Sequence, residues 1–198
     1  EAADTILVED GEYDGNDNTN LTIESPVTIM SVNGPDNCLF DGGGEDNVWM
    51  TIDAECLIRG FVIINTASAF VATNIDDIII ENCIDTQSLS NGIILTACQQ
   101  FIIKDCQIIE NEQNIGDSGA GIRITVSGGI ISGCVFDSNS CLTSGGGLYL
   151  DGSDVIVENC VFTDNFASNY GGGLYLTDMQ ACLIKNCQIS GNSVENNN

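Results

Sequence analysis

Short apolar stretches, each interrupted by single polar residues, recur along the chain at spacings of 22 to 28 residues. In residues 78–83 and 155–160, for example, three apolar residues precede a glutamate, a bend-forming asparagine follows, and a cysteine comes next. Short runs of β-branched residues that end at a polar residue predict strands, and Asn, Asp or Gly predicts a bend. Alignment of the copies gives one column: Cys38, Phe61, Cys83, Cys106, Cys134, Cys160 and Cys187.

The residues beside this column repeat as well. The position before it is always Asn, Asp or Gly, the types that tolerate a left-handed backbone at a bend. These residues are Asn37, Gly60, Asn82, Asp105, Gly133, Asn159 and Asn186. The position two after the column is apolar in every copy except one, which has Asp85. The pattern predicts a strand that faces a core with alternate residues and bends once per turn.

Two further repeats mark other parts of each turn. Glycine-rich segments open a second strand at residues 119–124, 145–150 and 171–176, with weaker copies at 69–72 and 91–95. Five residues after the cysteine column stand Asn111, Asn139, Asn165 and Asn192. Identical asparagines at one position of successive turns predict a stacked ladder.

These periods predict the fold class. A repeat of 22 to 28 residues with β-branched residues and no amphipathic helix indicates an all-β fold, a right-handed parallel β-helix (solenoid) of about eight turns. Right-handedness follows from the usual hand of crossover connections. Leucine-rich repeats share the period, but their leucine consensus is absent. We expect one β-helix domain over residues 1–192 and a polar C-terminal tail over 193–198.

Particular motifs resemble known families. The blocks FDSN…GGGLYL (136–139 and 145–150) and FTDN…GGGLYL (162–165 and 171–176) resemble repeats of polymorphic outer-membrane proteins. Residues 4–13 resemble the first turn of many pectin-lyase-like β-helix domains on secreted and cell-surface proteins, and similar domains occur in archaeal envelope and sheath proteins. The resemblance implies the fold and a surface location, but no single activity, because this scaffold carries lyases, hydrolases, adhesins and wall components.

The composition of the chain excludes several classes of function. The chain has 29 acidic residues, 4 basic residues and no histidine, for a net charge of −25. So few cations cannot neutralise nucleic acid, and histidine-based catalysis is excluded. No apolar run approaches the roughly 20 residues of a transmembrane segment. A strongly acidic, lysine-poor chain fits an extracellular or high-salt setting better than the cytosol, and together with the surface location that the resemblance implies this leads us to expect an extracellular protein at the cell surface.

Few residues qualify for catalysis. Arg59, Lys104 and Lys185 fall in one outward column and alternate with Glu81 and Glu158, which indicates a charge-paired, solvent-facing column.

The remaining candidates for catalysis are isolated. Arg123 lies alone on its strand, without an aspartate at the matching position of adjacent turns. Asp76 and Asp77 are adjacent, like the paired aspartates of related β-helix hydrolases, but fit turn residues before a strand better. Asp77 and Asp154 share a column but lie three turns apart, roughly 14 Å, which is too far for the carboxylate pair of glycoside hydrolysis. We assign no catalytic residue and expect the chain not to be an enzyme; a polysaccharide lyase or hydrolase is the disfavoured alternative.

The sequence contains only weak indications of metal or cofactor binding. Residues 14–18 begin like an EF-hand loop, but Thr19 and Ser25 replace the required glycine and glutamate. We expect no cofactor and no metal site. Weak calcium binding by the acidic N-terminal segment is the alternative; its residues are Glu9, Asp10, Glu12, Asp14 and Asp17.

The ten cysteines divide into groups. Those of the column share their position with Phe61, which indicates a core slot, and in-register neighbours about 4.8 Å apart are too distant for a relaxed disulfide. We expect mostly reduced, buried thiols there. Cys56 and Cys182 share another inward slot. Cys98 and Cys141 fall outside both columns and are the better candidates for a disulfide or an intersubunit cross-link, with a purely structural role as the alternative.

Self-association is the function that we predict from these features. A β-helix has two edges with unpaired backbone groups, and an outward column adds an apolar stripe: Leu39, Val62, Ile84, Val135 and Val161. We expect a non-catalytic structural module of a surface layer, sheath or filament that forms a homo-oligomer or polymer. The alternative is an adhesin or carbohydrate-binding module with a glycan partner, in which Trp49, Tyr149 and Tyr175 stack on sugars.

Overall fold

The computed structural model describes residues 4–44, 47–114 and 116–195. Within these residues the chain winds through short strands that stack, turn upon turn, into four parallel sheets. Each turn contributes strands in the order sheet A, sheet B, sheet C, and the later turns add a short strand of sheet D between sheets B and C.

The strands of each sheet have the following bounds. Sheet A contains Asp4–Val8, Val27–Ser31, Cys56–Arg59, Ile78–Glu81, Gln99–Lys104, Gly128–Ser132, Asp154–Glu158 and Leu183–Lys185. Sheet B contains Gly11–Asp14, Cys38–Asp41, Val62–Ile64, Ile84–Thr86, Gln107–Ile109, Val135–Asp137, Val161–Thr163 and Gln188–Ser190. Sheet C contains Leu21–Ile23, Val48–Ile52, Ser68–Thr73, Ile93–Thr96, Ile122–Thr125, Leu148–Asp151 and Leu174–Thr177. Sheet D contains Glu112–Gln113, Ser140–Cys141, Phe166–Ala167 and Ser193–Val194, and short 3-10 helices cover Asn16–Asn18 and Pro35–Asn37.

The number of turns is close to the prediction. Sheets A and B have eight strands each and sheet C has seven, so the described chain makes about seven turns against the eight expected. Ser193 and Val194, which we assigned to the polar tail, pair with Phe166 and Ala167, so the β-helix extends at least two residues beyond position 192. The backbone N–H of Glu195 still donates to the carbonyl of Ala167 at 3.1 Å, and residues 196–198 lie outside the described part.

The interior is filled by the inward residues of all the sheets. The cysteine column lies at the corner between sheets A and B, where Cys38, Phe61 and Cys134 are fully buried. Aromatic rings fill the neighbouring space, and Phe136 stacks on Phe162 with centroids 4.5 Å apart. Burying such a side chain contributes about 1.5–3 kcal/mol to stability, and each turn of the β-helix adds a similar layer to the core.

The corner after sheet A bends where the sequence indicates. The backbone is left-handed, with φ between 50° and 84°, at Gly60, Asn82, Asp105, Gly133, Asn159 and Asn186. Asn37 is the exception, because the turn before it contains Pro35 and closes as a 3-10 helix that ends at Asn37. Proline fixes φ near −65° and favours such a helical turn over a single left-handed residue.

The asparagine column forms a buried hydrogen-bonded ladder at another corner. The backbone N–H of Asn111 donates to Oδ1 of Asn139 at 3.2 Å, and that of Asn139 donates to Oδ1 of Asn165 at 3.0 Å. Each amide also donates from Nδ2, as Asn139 does to the carbonyl of Ile108 at 2.8 Å. The ladder therefore joins successive turns through side chains.

Asp85 closes this ladder at its first asparagine. It is fully buried and accepts hydrogen bonds from Ser88 Oγ at 2.8 Å and from Asn111 Nδ2 at 2.8 Å. Burial raises the pKa of the Asp85 carboxyl to about 7, because desolvation outweighs these two hydrogen bonds. The single polar residue in an otherwise apolar column thus has a structural partner.

Candidate functional site

An aliphatic column runs along the outer face of sheet A. Strand register places one outward residue per turn in it, and these residues are Leu57, Ile79, Ile102, Ile130, Ile156 and Leu183. Ile156 and Leu183 are 36% and 48% exposed, and the other four are half-buried. Six successive turns at about 4.8 Å make a stripe about 24 Å long. Sequence reasoning missed this column, because its residues stand beside inward residues that are themselves apolar.

The charged column predicted from the sequence lies beside the aliphatic one. Its residues on the same six turns are Arg59, Glu81, Lys104, Ser132, Glu158 and Lys185. Lys104 Nζ lies 3.0 Å from Glu81 Oε1, and Lys185 Nζ lies 2.6 Å from Glu158 Oε2. Three of the four basic residues of the chain therefore stand on this one face. We call the two columns together the sheet-A face.

The predicted apolar stripe lies on the outer face of sheet B. Its residues Leu39, Val62, Ile84, Val135 and Val161 are all half-buried and aligned by register. Gln107 interrupts the column between Ile84 and Val135, and Gln188 follows Val161 at its C-terminal end. Ile64 and Ile109 add apolar surface at the next outward position. Sheets A and B thus each present a column of mainly aliphatic side chains to the outside.

Tyrosines dominate the outer face of sheet C at its C-terminal end. Tyr149 and Tyr175 are outward neighbours on adjacent strands, with ring centroids 5.7 Å apart and planes inclined by 23°. Tyr170, from the preceding loop, stacks on Tyr175 with centroids 5.8 Å apart and is 64% exposed. We call these three rings the tyrosine cluster. Large half-exposed rings of this kind are common at binding surfaces.

The glycine-rich segments leave room for these rings. At Gly145 and Gly171, where φ is 74° and 60°, an added Cβ would lie 2.9 Å from the Cβ atoms of Tyr149 and Tyr175 respectively. A larger residue would therefore displace the tyrosine and strain the backbone. This close approach of loop and strand explains the first glycine of each GGGLYL motif.

Arg123 is the outward neighbour of Tyr149 on the adjacent strand. Its Nη1 donates to Oδ2 of Asp117, which comes from the loop before its own strand. Alignment of the sequence compared Arg123 only with adjacent turns and therefore missed this loop residue. Burial, and then the charge of Asp151, raise the pKa of the Tyr149 hydroxyl, while Arg123 opposes the shift. The cluster thus combines aromatic rings with one ion pair.

The other aspartates considered for catalysis serve as turn acceptors. Asp76 Oδ1 accepts from the backbone N–H of Gln99 at 2.8 Å, and Asp154 Oδ1 accepts from that of Ala181 at 2.9 Å. Among the described residues no group of three or more Cys, Asp or Glu side chains is arranged to hold a metal ion. Weak calcium binding by the N-terminal acidic segment stays a prediction.

The predicted cross-link at Cys98 and Cys141 is not supported. Both are free thiols with 0% and 1% exposure, each in an inward column that the sequence analysis did not recognise. Cys98 occupies the same corner position as Ser127 and Ser153, and donates to the carbonyl of Thr96 just as Ser127 and Ser153 donate to the carbonyls two residues before them. Cys141 aligns with inward positions of sheet D, between Gln113 and Ala167.

Trp49 is not available for sugar stacking. It is 1% exposed and packs inside the β-helix against Phe40, Phe61 and Phe70, with centroids 4.9 to 5.5 Å apart. Of the three stacking candidates, only Tyr149 and Tyr175 lie on an outer face. The search for aromatic residues in the sequence missed Tyr170, which is the most exposed ring of the cluster.

Parallel sheets that take one strand from each turn define the class of β-helix proteins. The sequence profile described as the right-handed beta helix region matches residues 10–162 and 120–198, so the chain belongs to this family and the predicted right-handed β-helix is confirmed. A comparison with curated proteins gave no match. The more specific resemblance to polymorphic outer-membrane and archaeal sheath proteins stays a prediction. Across the described residues, no helix is long and apolar enough to cross a membrane.

Two solved structures have similar folds, and both are enzymes. The catalytic domain of a family 87 α-1,3-glucanase with bound tetrasaccharides is 9% identical, with a TM-score of 0.36; the comparison covers 96% of this chain and 64% of that one. The A-module of the mannuronan C-5 epimerase of Azotobacter vinelandii is also 9% identical, with a TM-score of 0.34, and 97% and 90% are covered. This finding corrects the expectation that the chain is not an enzyme. At these scores it assigns no activity or substrate to this chain.

Proposed function

We propose that this chain is a self-associating β-helix module of an extracellular surface layer, sheath or filament. The observation that carries the proposal is the sheet-A face, where six outward aliphatic side chains lie in one unbroken column. Monomeric proteins rarely expose contiguous apolar patches larger than a few hundred Å², and such patches mark contact surfaces. The apolar stripe of sheet B supplies a second surface, and a polymer requires at least two.

The distribution of charge favours the sheet-A face as the contact. Two copies with a net charge of −25 repel each other over most of their surfaces. On the sheet-A face the basic side chains of Arg59, Lys104 and Lys185 outnumber the acidic ones of Glu81 and Glu158. Glu55, Asp77 and Asp154 flank the aliphatic column, but the face holds three of the four basic residues of the chain, so a second acidic copy is repelled less here than over the rest of the surface.

Association is tested by sedimentation and by electron microscopy of the purified protein at 0.15 M salt and above. Ile102→Glu places a charge in the centre of the aliphatic column and is expected to abolish association. Ile94→Glu is the matched control, because Ile94 is also a half-buried outward isoleucine, but on the sheet-C strand that precedes the strand of Ile102. A wild-type chain that remains monomeric at about 1 mM would refute the proposal.

Carbohydrate binding is a second candidate function, and the tyrosine cluster is the observation that favours it. Sugar rings have apolar C–H faces that stack on tyrosine, while their hydroxyls hydrogen-bond with side chains such as Arg123 and Asp117. The acidic chain repels anionic polymers, so a neutral glycan fits this face best.

The glycan proposal is tested by binding to a panel of neutral and anionic oligosaccharides. Tyr170→Ala removes the most exposed ring and is expected to weaken binding about tenfold, whereas Tyr170→Phe keeps the ring and is expected to bind like the wild type. Equal binding by both variants, or none by the wild type, would contradict the proposal. The same incubations are followed for new reducing or unsaturated ends, which report directly on catalysis.

A further inference from the structure

The order of charges along the sheet-A face restricts how a second copy can dock. From the N-terminal to the C-terminal turn the charged column is positive, negative, positive, neutral, negative, positive: Arg59, Glu81, Lys104, Ser132, Glu158 and Lys185. Like charges opposite each other destabilise an interface, and opposite charges select a register. Two identical columns can therefore be tested for complementarity in every register.

Two symmetric arrangements bring a sheet face against its own copy. A twofold axis along the β-helix places each turn opposite the same turn of the other copy. If the axis lies at the charged column, Arg59 faces Arg59 and Lys104 faces Lys104. If it lies between the two columns, the charged column faces the aliphatic one. A twofold axis along the strands reverses the order of turns but keeps each column opposite itself. The second arrangement alone packs aliphatic on aliphatic and charged on charged.

One register of this second arrangement gives the most pairs of opposite charge. With the axis at the turn of Ser132, Lys104 faces Glu158 of the other copy and Glu81 faces Lys185. A shift of one turn in either direction places Glu81 opposite Glu158, or Lys104 opposite Lys185. A shift of two turns places Lys104 or Glu158 opposite itself. A shift of three turns leaves one kind of attractive contact, Glu81 with Lys104 or Glu158 with Lys185, over fewer turns.

We infer that this chain pairs with a second copy across the sheet-A face, with antiparallel β-helix axes and a twofold axis at Ile130 and Ser132. In this pair Ile102 packs against Ile156 of the other copy, Ile79 against Leu183, and Ile130 against Ile130. The inference rests on the proposed self-association and adds its partner, orientation and register.

The size of the face and the net charge set the expected strength. Five facing turns of short strands give about 24 Å by 16 Å, or roughly 400 Å² per partner, which is below the roughly 800 Å² of a standard interface. We therefore expect a weak pair that is populated at hundreds of micromolar. Added salt is expected to strengthen it up to about 0.5 M, because screening of the repulsion between two −25 chains outweighs the loss of four local ion pairs.

Charge exchange tests the register. Lys104→Glu and Glu158→Lys each turn two attractive contacts of the pair into repulsive ones, and each is expected to raise the dissociation constant about tenfold. The double variant restores opposite charges across the interface and is expected to return to within about threefold of the wild type. Inside one chain the same double variant places two acidic side chains together at positions 81 and 104, and two basic ones at positions 158 and 185. A merely intrachain role of these charges therefore predicts no rescue.

Cross-linking tests the position of the axis independently. Ser132→Cys places two thiols next to the twofold axis, and oxidised glutathione is expected to link them into a covalent dimer. Thr163→Cys is the control, because Thr163 is an outward, half-buried residue of sheet B. Dimers that form equally in both variants, or a double charge variant no better than either single one, would overturn the pairing. If the wild type still associated while these tests failed, the proposed self-association would stand without this pairing. A monomeric wild type would overturn both the self-association and the pairing.

Discussion

Two side-chain ladders line the interior of this β-helix, and they hold successive turns together by different means. In the asparagine ladder, one Oδ1 accepts the backbone N–H of the previous turn, as between Asn139 and Asn165 at 3.0 Å. In the cysteine column, each thiol contacts carbonyls only weakly, as Cys134 does at 3.4 Å from Ser132 and 3.6 Å from Ile103. The first ladder satisfies backbone groups, whereas the second mainly fills volume.

The difference follows from what each corner leaves unpaired. At the asparagine corner the backbone N–H groups of Asn111, Asn139 and Asn165 have side-chain acceptors from the next turn. A buried N–H without an acceptor costs about 1–3 kcal/mol, so these positions require an amide oxygen. At the cysteine corner Phe61 replaces the thiol without harm, since only an apolar shape is needed.

The largest effect is expected for Asn139→Leu. The variant removes the acceptor of the Asn111 N–H and the two bonds that Asn139 Nδ2 donates, to Ile108 and to Asn165. The loss is expected to lower the free energy of unfolding by roughly 4–5 kcal/mol. Urea denaturation measures it. Cys134→Ala in the same turn is the control, with an expected loss of about 1–2 kcal/mol; equal losses would contradict the distinction between the ladders.

Asp85→Asn is expected to have the next largest effect, which is a change in how the free energy of unfolding depends on pH. The pKa of Asp85 is raised by burial from 3.8 to about 7, so the folded state holds its proton over a range in which the unfolded chain has lost it. The wild type therefore loses roughly 4 kcal/mol relative to the variant as pH rises from about 4 to above 7, and nothing below pH 4.

Unfolding free energies of both proteins at pH 4, 5.5, 7 and 8 give this difference directly. A strongly acidic chain also becomes more stable at low pH because its carboxylates repel each other less. This effect is the same in both proteins and cancels in the comparison. A constant difference across this range would show that Asp85 is ionised in the folded state or that its carboxyl is not buried.

The two ladders also show what the sequence can reveal. Residues such as Cys134 and Asn139 recur at the turn spacing, and a parallel β-helix places residues at that spacing in direct contact, so columns can be predicted by alignment alone. The role of Asp85 was hidden because it bonds to another column, that of Ser88 and Asn111. Its place in the alignment showed only that it replaces an apolar residue.

The outer faces were harder to predict for a related reason. Ile102 and Ile103 are both apolar, so alternation cannot show that one faces outward and the other inward, and the aliphatic column of sheet A was overlooked. Asp117 reaches Arg123 from a loop whose length differs from turn to turn, so column alignment does not place it. Repeats predict what is repeated, whereas the candidate contact surfaces depend on exposure and on irregular loops.

A smaller effect is expected for Cys106→Ser. The thiol of Cys106 is 1% exposed and contacts the carbonyls of Lys104 and Ile80 at 3.3 and 3.7 Å. A hydroxyl is smaller and more polar, so the variant is expected to lose about 1–2 kcal/mol in urea denaturation. Cys106→Ala keeps the slot apolar and separates loss of volume from burial of polarity. If Cys106→Ser were as stable as the wild type, the inward assignment of the column would be wrong.

The smallest effect is expected from reductant. All ten cysteines are free, and burial raises the pKa of Cys56 and of Cys83 to about 12, so at pH 8 only about one in 10⁴ of these thiols is the reactive thiolate. Dithiothreitol is therefore expected to shift the urea midpoint by less than the measurement error. A thiol reagent should modify the half-buried Cys182 and Cys187 first, and the eight buried cysteines only on unfolding. A midpoint that falls in reductant would mean that a disulfide contributes, and the cysteine column would then resemble the asparagine ladder in linking the turns.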